Sequence, residues 1–243
     1  MIEAIYSATE GMTNQQTVLE VVTNNLANVA TYGYKRDDLA FSDTLNALGV
    51  PEMDSTYSPD SDPVRFNTDF SQGHTQSTSN PLDLALDGDG FFVIQYDDGI
   101  RYTRSGNFSL NSSGQLVTID GYPVLGTNGL IQIQGSQLEI DSTGQIIVDG
   151  ILMGKLRLAS FQDNSALIKA GHNTFKKTDA SITEFAADAD VMQGFLESSN
   201  VNAVHEMARM IEAMRMYEAY QKSLLLLNET LERASNELGT VTV

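Results

Sequence analysis

Apolar residues spaced by seven at both ends of the chain constrain its fold more than any other feature. In the N-terminal segment, a second seven-residue row follows the first by three positions. Two such rows form the seam along which helices pair in a coiled coil. The first row is Ile5, Met12, Leu19 and Leu26, and the second is Ala8, Gln15, Val22 and Val29. The spacing predicts a helix over residues 2–29, which Asn28 and Gly33 are expected to end.

The C-terminal segment repeats this pattern over more turns. One row is Met210, Tyr217, Leu224, Leu231 and Leu238, and the other is Ala213, Tyr220, Leu227 and Ala234. No proline or glycine lies within residues 202–238, and Gly239 is expected to end this second helix. One such segment is as consistent with a helix facing its own core as with a coiled coil. Heptads at both ends favour two helices that pack against each other or against neighbouring copies.

Between the two helical segments, turn signals recur roughly every eight to twelve residues, which is typical of short strands in an all-β domain. They are Asp87-Gly88-Asp89-Gly90, Asp97-Asp98-Gly99, Ser112-Ser113-Gly114, Asp120-Gly121, Asn128-Gly129, Ser142-Thr143-Gly144 and Asp149-Gly150. Apolar runs such as Phe91-Phe92-Val93-Ile94 separate them. The first of these turns is expected to close a hairpin. No pattern of helical length appears there, so a βαβ nucleotide-binding fold is not supported.

The segment from Phe41 to Pro81 is polar, has little periodicity and holds four of the five prolines. It therefore predicts an extended connector, which we place at residues 32–81. The fold class expected is α+β. Residues 1–31 and 198–243 are expected to form a discontinuous coiled-coil domain of N- and C-terminal helices. We expect an all-β domain at residues 82–197 to be inserted between them and joined by the connector.

Composition argues against several functional classes. The chain has 14 Lys and Arg residues against 32 Asp and Glu residues, a net charge of −18 that repels the phosphates of nucleic acid. It has no cysteine, which excludes disulfides, thiolate metal sites and cysteine nucleophiles. His74, His172 and His205 lie far apart, and none has a second ligand at metal spacing. With no phosphate-binding loop or nucleophile elbow either, we expect no cofactor, no small-molecule substrate and no enzymatic activity.

Three asparagines near the end of the first helix are unusual, because asparagine is a poor helix former. Helix termination explains Asn28, but it hardly explains Asn24 and Asn25. Asparagine side chains inside a helix can instead form hydrogen bonds between helices and fix their register.

The asparagine-rich segment from Val21 to Thr31, followed by Tyr32-Gly33-Tyr34-Lys35, resembles the signature of the flagellar rod and hook family. Three further blocks are similar to motifs of that family and occur in the same order. They are the segment from Asn80 to Phe92, then Tyr102-Thr103-Arg104-Ser105-Gly106-Asn107-Phe108, and a C-terminal block from Gln193 to Asn202 that continues in residues 206–211 and 215–222. Together these blocks cover most of the chain.

The resemblance implies a structural rod subunit that forms part of the flagellar drive shaft and export channel. It further implies helical polymerisation with itself and other rod subunits, with the terminal helices lining the tube and the β-rich domain outside. Residues expected to serve assembly are Asn24, Asn25, Leu26, Asn28, Ile5, Met12, Leu19, Met210, Tyr217, Tyr220, Leu224 and Leu231. The motif Thr68-Asp69-Phe70-Ser71-Gln72-Gly73 and the short connector look most like the proximal rod subunit, with the distal subunit as the alternative.

The same resemblance implies secretion by the flagellar type III export apparatus and assembly in the periplasm. A cleaved signal peptide is not expected, because the N-terminus has neither a basic patch nor a continuous apolar run.

Two other functional classes fit the residues less well. A coiled-coil adhesin or tail-fibre-like binding module with a β-rich head would explain the heptads and the acidity, but not the asparagines. A β-rich carbohydrate enzyme would need a pair of carboxylates and exposed aromatic residues, and the chain has no tryptophan.

Overall fold

The computed structural model describes residues 2–41, 64–135, 137–179 and 182–240. Helix α1 spans Ile2–Ala27 and helix α2 spans Ala203–Thr240, which confirms a helix at each end. Gly239 is the last residue but one of α2, within one position of the expected end. No helix in the described ranges is both long and apolar enough to cross a membrane.

Of the two residues expected to end α1 in a left-handed conformation, Gly33 adopts that conformation and Asn28 does not. Gly33 has a positive φ of 68°, a conformation that glycine adopts without strain. Asn28 does not have a positive φ, and its carbonyl accepts a hydrogen bond of 3.1 Å from the Thr31 N–H. The chain therefore leaves the helix through the turn from Asn28 to Thr31.

Short strands fill the described chain between the helices, as the turn signals predict. They are β1 (Asp37–Phe41), β2 (Val64–Thr68), β3 (Thr75–Ser77), β4 (Leu84–Asp87), β5 (Phe91–Tyr96), β6 (Gly99–Thr103), β7 (Phe108–Leu110), β8 (Leu116–Thr118), β9 (Leu125–Gly126), β10 (Gly129–Leu130), β11 (Leu138–Ile140), β12 (Gln145–Val148), β13 (Ile151–Lys155), β14 (Leu158–Ser160), β15 (Leu167–Lys169), β16 (Phe175–Lys177), β17 (Phe185–Ala186), β18 (Asp190–Gln193) and β19 (Phe195–Glu197). A single 3₁₀ turn, Asn164–Ala166, precedes β15 in these ranges.

The largest sheet of the described chain has six strands in the order β15-β16-β6-β5-β14-β17, and its neighbours pair antiparallel. A second sheet has the order β11-β12-β13. The other pairs are β1 with β2, β3 with β19, β4 with β18, β7 with β8, and β9 with β10. Strand β3 pairs with β19, and β4 pairs with β18. The last two strands of the β-rich region therefore pair with strands near its start.

Strand β5 divides the apolar interior in two. Phe92 and Ile94 belong to a larger core, whereas Phe91 and Val93 belong to a smaller, aromatic one. Successive side chains of a strand point to opposite faces, so a run of four apolar residues can fill both cores at once. The run Phe91-Phe92-Val93-Ile94 is fully buried for this reason.

The turn signals are confirmed in their backbone conformation. Each of the expected turns contains a glycine with a positive φ: Gly88, Gly99, Gly114, Gly121, Gly129, Gly144 and Gly150. The expectation of a hairpin at Asp87-Gly88-Asp89-Gly90 is wrong, because β4 and β5 on either side of it belong to different sheets. That turn carries the chain from one sheet to the next.

The chain divides into two compact units. The first contains α1 and α2, and the second contains Asn28–Asp38 and Phe66–Val201. Residues 32–81, for which we expect a connector, contain β1, β2 and β3, while residues 42–63 lie outside the described residues.

Within the first unit, α1 and α2 lie against each other. The ring of Tyr220 approaches Gly11 so closely that a Cβ at this position would overlap it. The glycine of α1 therefore leaves room for an aromatic side chain of α2.

Candidate assembly site

The motif that follows α1 lies against two other motifs of the sequence. The Gly33 N–H donates a hydrogen bond of 2.7 Å to the carbonyl of Glu197. A Cβ on Gly33 would overlap the backbone of Arg104, so only glycine allows this approach. Three blocks that are far apart in sequence therefore meet at Gly33.

A buried cluster of three charged side chains lies beside this contact. The Lys35 ammonium donates to Glu197 Oε1 at 2.7 Å, and Arg104 Nη1 donates to Glu197 Oε2 at 3.4 Å. The three side chains are at most 3% exposed. Two cations thus share one carboxylate in an interior where an unpaired charge would be costly.

Backbone groups complete the coordination of this cluster. Lys35 also donates to the Ser71 carbonyl at 2.7 Å, and the Gly73 N–H donates to Glu197 Oε1 at 2.9 Å. Burial lowers the pKa of the Lys35 amine, and the neighbouring carboxylate of Glu197 opposes that shift. The cluster joins the segment after α1 to the segments before β3 and at β19.

Asn200 extends the connection. Its Oδ1 accepts a hydrogen bond of 2.7 Å from the Arg36 N–H, and its Nδ2 donates to the Asp69 carbonyl at 2.8 Å. The Arg36 guanidinium lies 3.3 Å from the Asp69 carboxylate. The residues directly after α1 and directly before α2 are therefore tied to the same stretch of chain.

The central motif and the one that follows it are also in direct contact. The Leu84 N–H donates to the Gly106 carbonyl at 3.0 Å. A Cβ on Gly106 would lie on top of the Leu84 carbonyl oxygen, so this position has no room for any other residue. These two motifs therefore pack directly against each other.

The residues expected to serve assembly lie on the two helices or directly after α1. Those that are partly buried are Ile5, Met12, Leu19, Leu26, Asn28, Met210, Tyr217, Tyr220, Leu224 and Leu231. Asn25 is buried and Asn24 is exposed. These seam residues are thus partly covered along both helices, while the three asparagines occupy three different environments.

The side chain of Asn25 makes a contact between the two helices. Its Nδ2 donates to the Glu206 carboxylate at 3.4 Å, and Arg209 Nη1 lies 3.5 Å from the same side chain. Asn25 and Glu206 are both fully buried. Asn28 differs, because its Oδ1 accepts a hydrogen bond of 3.1 Å from Thr31 within the turn that ends α1.

Sequence reasoning missed the charged cluster and the role of Glu206. Lys35, Arg104 and Glu197 each stand inside a recognised motif, but nothing local shows that residues so far apart are paired. In the part of the chain that the structure describes, no three His, Asp or Glu side chains are grouped to hold a metal ion.

Three family models match the chain in order. One described as flagella basal body rod protein matches residues 5–35, and one described as the flagellar hook protein FlgE/F/G D1 domain matches residues 85–148. The third, described as the flagellar basal body rod FlgEFG protein C-terminal, matches residues 192–237. These ranges include most of both helices and much of the β-rich unit.

Full-length relatives agree with the family models. The flagellar basal-body rod protein FlgG of Bacillus subtilis is 35% identical, over 97% of this chain and 99% of the relative. FlgG of Agrobacterium fabrum is 35% identical over 98% and 100%, and FlgF of Caulobacter vibrioides is 34% identical over 95% and 97%. The chain therefore belongs to the family of flagellar basal-body rod proteins, as a structural subunit rather than an enzyme.

Proposed function

We propose that this subunit polymerises through α1 and α2 to form part of the flagellar drive shaft and export channel. The observation that carries the proposal is a second apolar stripe on α2, whose members follow the three- and four-residue spacing of a helical face. It is formed by Val204, Met207, Ile211 and Met214, each at least half exposed. Leu225, further along the helix, lies on the same face and is also exposed.

The stripe is distinct from the seam of α2. At about 100° per residue, its centre lies roughly 110° around the helix from the centre of Met210, Ala213 and Tyr217. Full burial of one such side chain is worth about 1.5–3 kcal/mol. The four side chains are only about half buried in one chain. Burying the rest would therefore contribute roughly 3–6 kcal/mol to the free energy of association. A neighbouring copy supplies that cover in a polymer.

The finer organisation is part of the same proposal. The helices of residues 1–31 and 198–243 would pair as a coiled coil, with the β-rich domain at residues 82–197 inserted between them. The twelve residues placed on the helices and the turn after α1 would serve assembly, and Asn25 would do so through its contact with Glu206.

The proximal part of the rod is the position that we propose, with the distal part as the alternative. The motif Thr68-Asp69-Phe70-Ser71-Gln72-Gly73 and the fairly short connector support this position. Imaging basal bodies whose subunit carries a loop tag would test this position.

Secretion by the flagellar type III export apparatus, without a cleaved signal peptide, and assembly in the periplasm complete the proposal. We expect no nucleic acid, cofactor or small-molecule substrate among its partners. The mass of the subunit recovered from purified basal bodies would reveal any cleavage.

The polymerisation proposal is tested by two matched substitutions on α2. Met214→Glu places a charge in the stripe, whereas Met216→Glu places one outside it at similar exposure, 50% against 43%. In cells whose only copy carries Met214→Glu, we expect rods to be absent although the protein is folded. Met216→Glu should still support assembly. Equal assembly by both variants would contradict the proposal.

A further inference from the structure

The hairpin of β12 and β13 presents an apolar tip to solvent. Ile151, Leu152 and Met153 are consecutive, and each is about half exposed or more. Asp149 and Gly150 both have positive φ, as a tight two-residue hairpin turn requires. In the described chain, β13 is also the last strand of its sheet. Exposed edge strands with apolar side chains are sites where another chain can attach.

A groove with both apolar and polar walls lies elsewhere in the same unit. Its cavity of about 340 Å³ is lined by four apolar residues, Phe66, Phe70, Leu167 and Ile168, and by the polar residues Asp37, Asn67, Thr68, Ser165 and Lys169. Phe66 is 66% exposed and Ile168 is 43% exposed. Strand β15, which supplies Leu167 and Ile168, is an edge strand of the six-stranded sheet. At one wall of the groove the Lys169 ammonium lies 2.7 Å from the Asp37 carboxylate.

The two elements carry opposite charge. Residues 167–177, which form β15 and β16, contain three lysines and no carboxylate. Residues 138–155, which form β11 to β13, contain three carboxylates and one lysine. Lys169 is already paired with Asp37 at the groove, so Lys176 and Lys177 provide the positive charge that would attract an acidic neighbour to this hairpin, an exception in a chain with a net charge of −18.

We propose that the tip of the β12–β13 hairpin of one copy docks into the Phe66–Ile168 groove of the next copy. This inference rests on the proposed polymerisation, and it adds a contact between β-rich units. A contact between two different surfaces of identical subunits can repeat without closing, as a rod requires. Contact between two hairpins would instead oppose like charges and close a dimer.

Disulfide trapping tests the contact directly, because the chain has no cysteine of its own. A chain with Leu152→Cys and Ile168→Cys would be the only copy in the cell, and isolated basal bodies would be oxidised. We expect a ladder of disulfide-linked oligomers, several-fold stronger than in either single-cysteine chain. The control pair is Ile119→Cys with Ile168→Cys, since Ile119 is also exposed.

The outcomes distinguish a failure of this contact from a failure of polymerisation. Assembled rods that yield only monomers from the test pair would overturn the docking proposal and leave polymerisation intact. A ladder of equal strength from the control pair would also overturn it, because random collisions would then explain the linkage. Failure of the unmodified chain to form rods would overturn both proposals.

Discussion

Replacing Glu197 by glutamine probes the buried charged cluster with almost no change in shape. The variant keeps an oxygen for the Gly73 N–H but leaves Lys35 and Arg104 without their shared carboxylate. Removing one partner of a buried ion pair costs about 3–5 kcal/mol, because a charge stays buried without compensation. For a unit of about 150 residues, that loss lowers the midpoint of thermal unfolding by about 6–20 °C.

Urea unfolding followed by aromatic circular dichroism measures the free-energy difference. The matched control is Asp98→Asn, which also converts a carboxylate to an amide. Asp98 pairs with Arg101 at 2.9 Å, but its side chain is 55% exposed. Exposed pairs contribute about 1 kcal/mol or less. A loss in Glu197→Gln no larger than in this control would refute the reasoning.

The pH dependence provides a second check. Burial lowers the pKa of Lys35, so between its folded and unfolded values the unfolded chain binds more protons. Stability from this group therefore rises with pH through that window. Without Glu197 the pKa of Lys35 should fall further, because the carboxylate stabilises its charged form. The difference in unfolding free energy between the unmodified protein and Glu197→Gln should therefore become smaller as pH rises. A gap that widens with pH would contradict this assignment.

The other predictions concern packing and assembly. Gly106→Ala should prevent the β-rich unit from folding, as seen by loss of its cooperative transition, because the new Cβ meets the backbone oxygen of Leu84. Alanine at all three asparagines near the end of α1 should abolish rod assembly in cells, even though alanine is the better helix former. Rods built from that variant would show that the asparagines are dispensable. Limited proteolysis of the purified chain should trim both helices and leave the second compact unit, which contains Asn28–Asp38 and Phe66–Val201, as the resistant part. Helical ends as resistant as that unit would contradict this, since they would have no need of a partner.

The helices and turns could be predicted from sequence because their signals are local. The seven-residue rows located α1 and α2, and glycines after Asp, Asn, Ser or Thr marked the turns. The pairing of β3 with β19 joins Gln76 to Leu196, and no local pattern specifies a partner at such a distance. The exposed stripe from Val204 to Met214 has the spacing of a third and fourth row, so it could have been found by the same count.

The link between Lys35 and Glu197 spans 162 positions, and it has a consequence for the order of folding. Chains emerge from the ribosome N-terminus first, and contacts distant in sequence form late. Until Glu197 is present, Lys35 and Arg104 lack the carboxylate that both bind in the interior. A chain cut short before this residue therefore cannot complete its β-rich unit. Folding of the β-rich unit therefore depends on synthesis having passed Glu197, although it does not require α2.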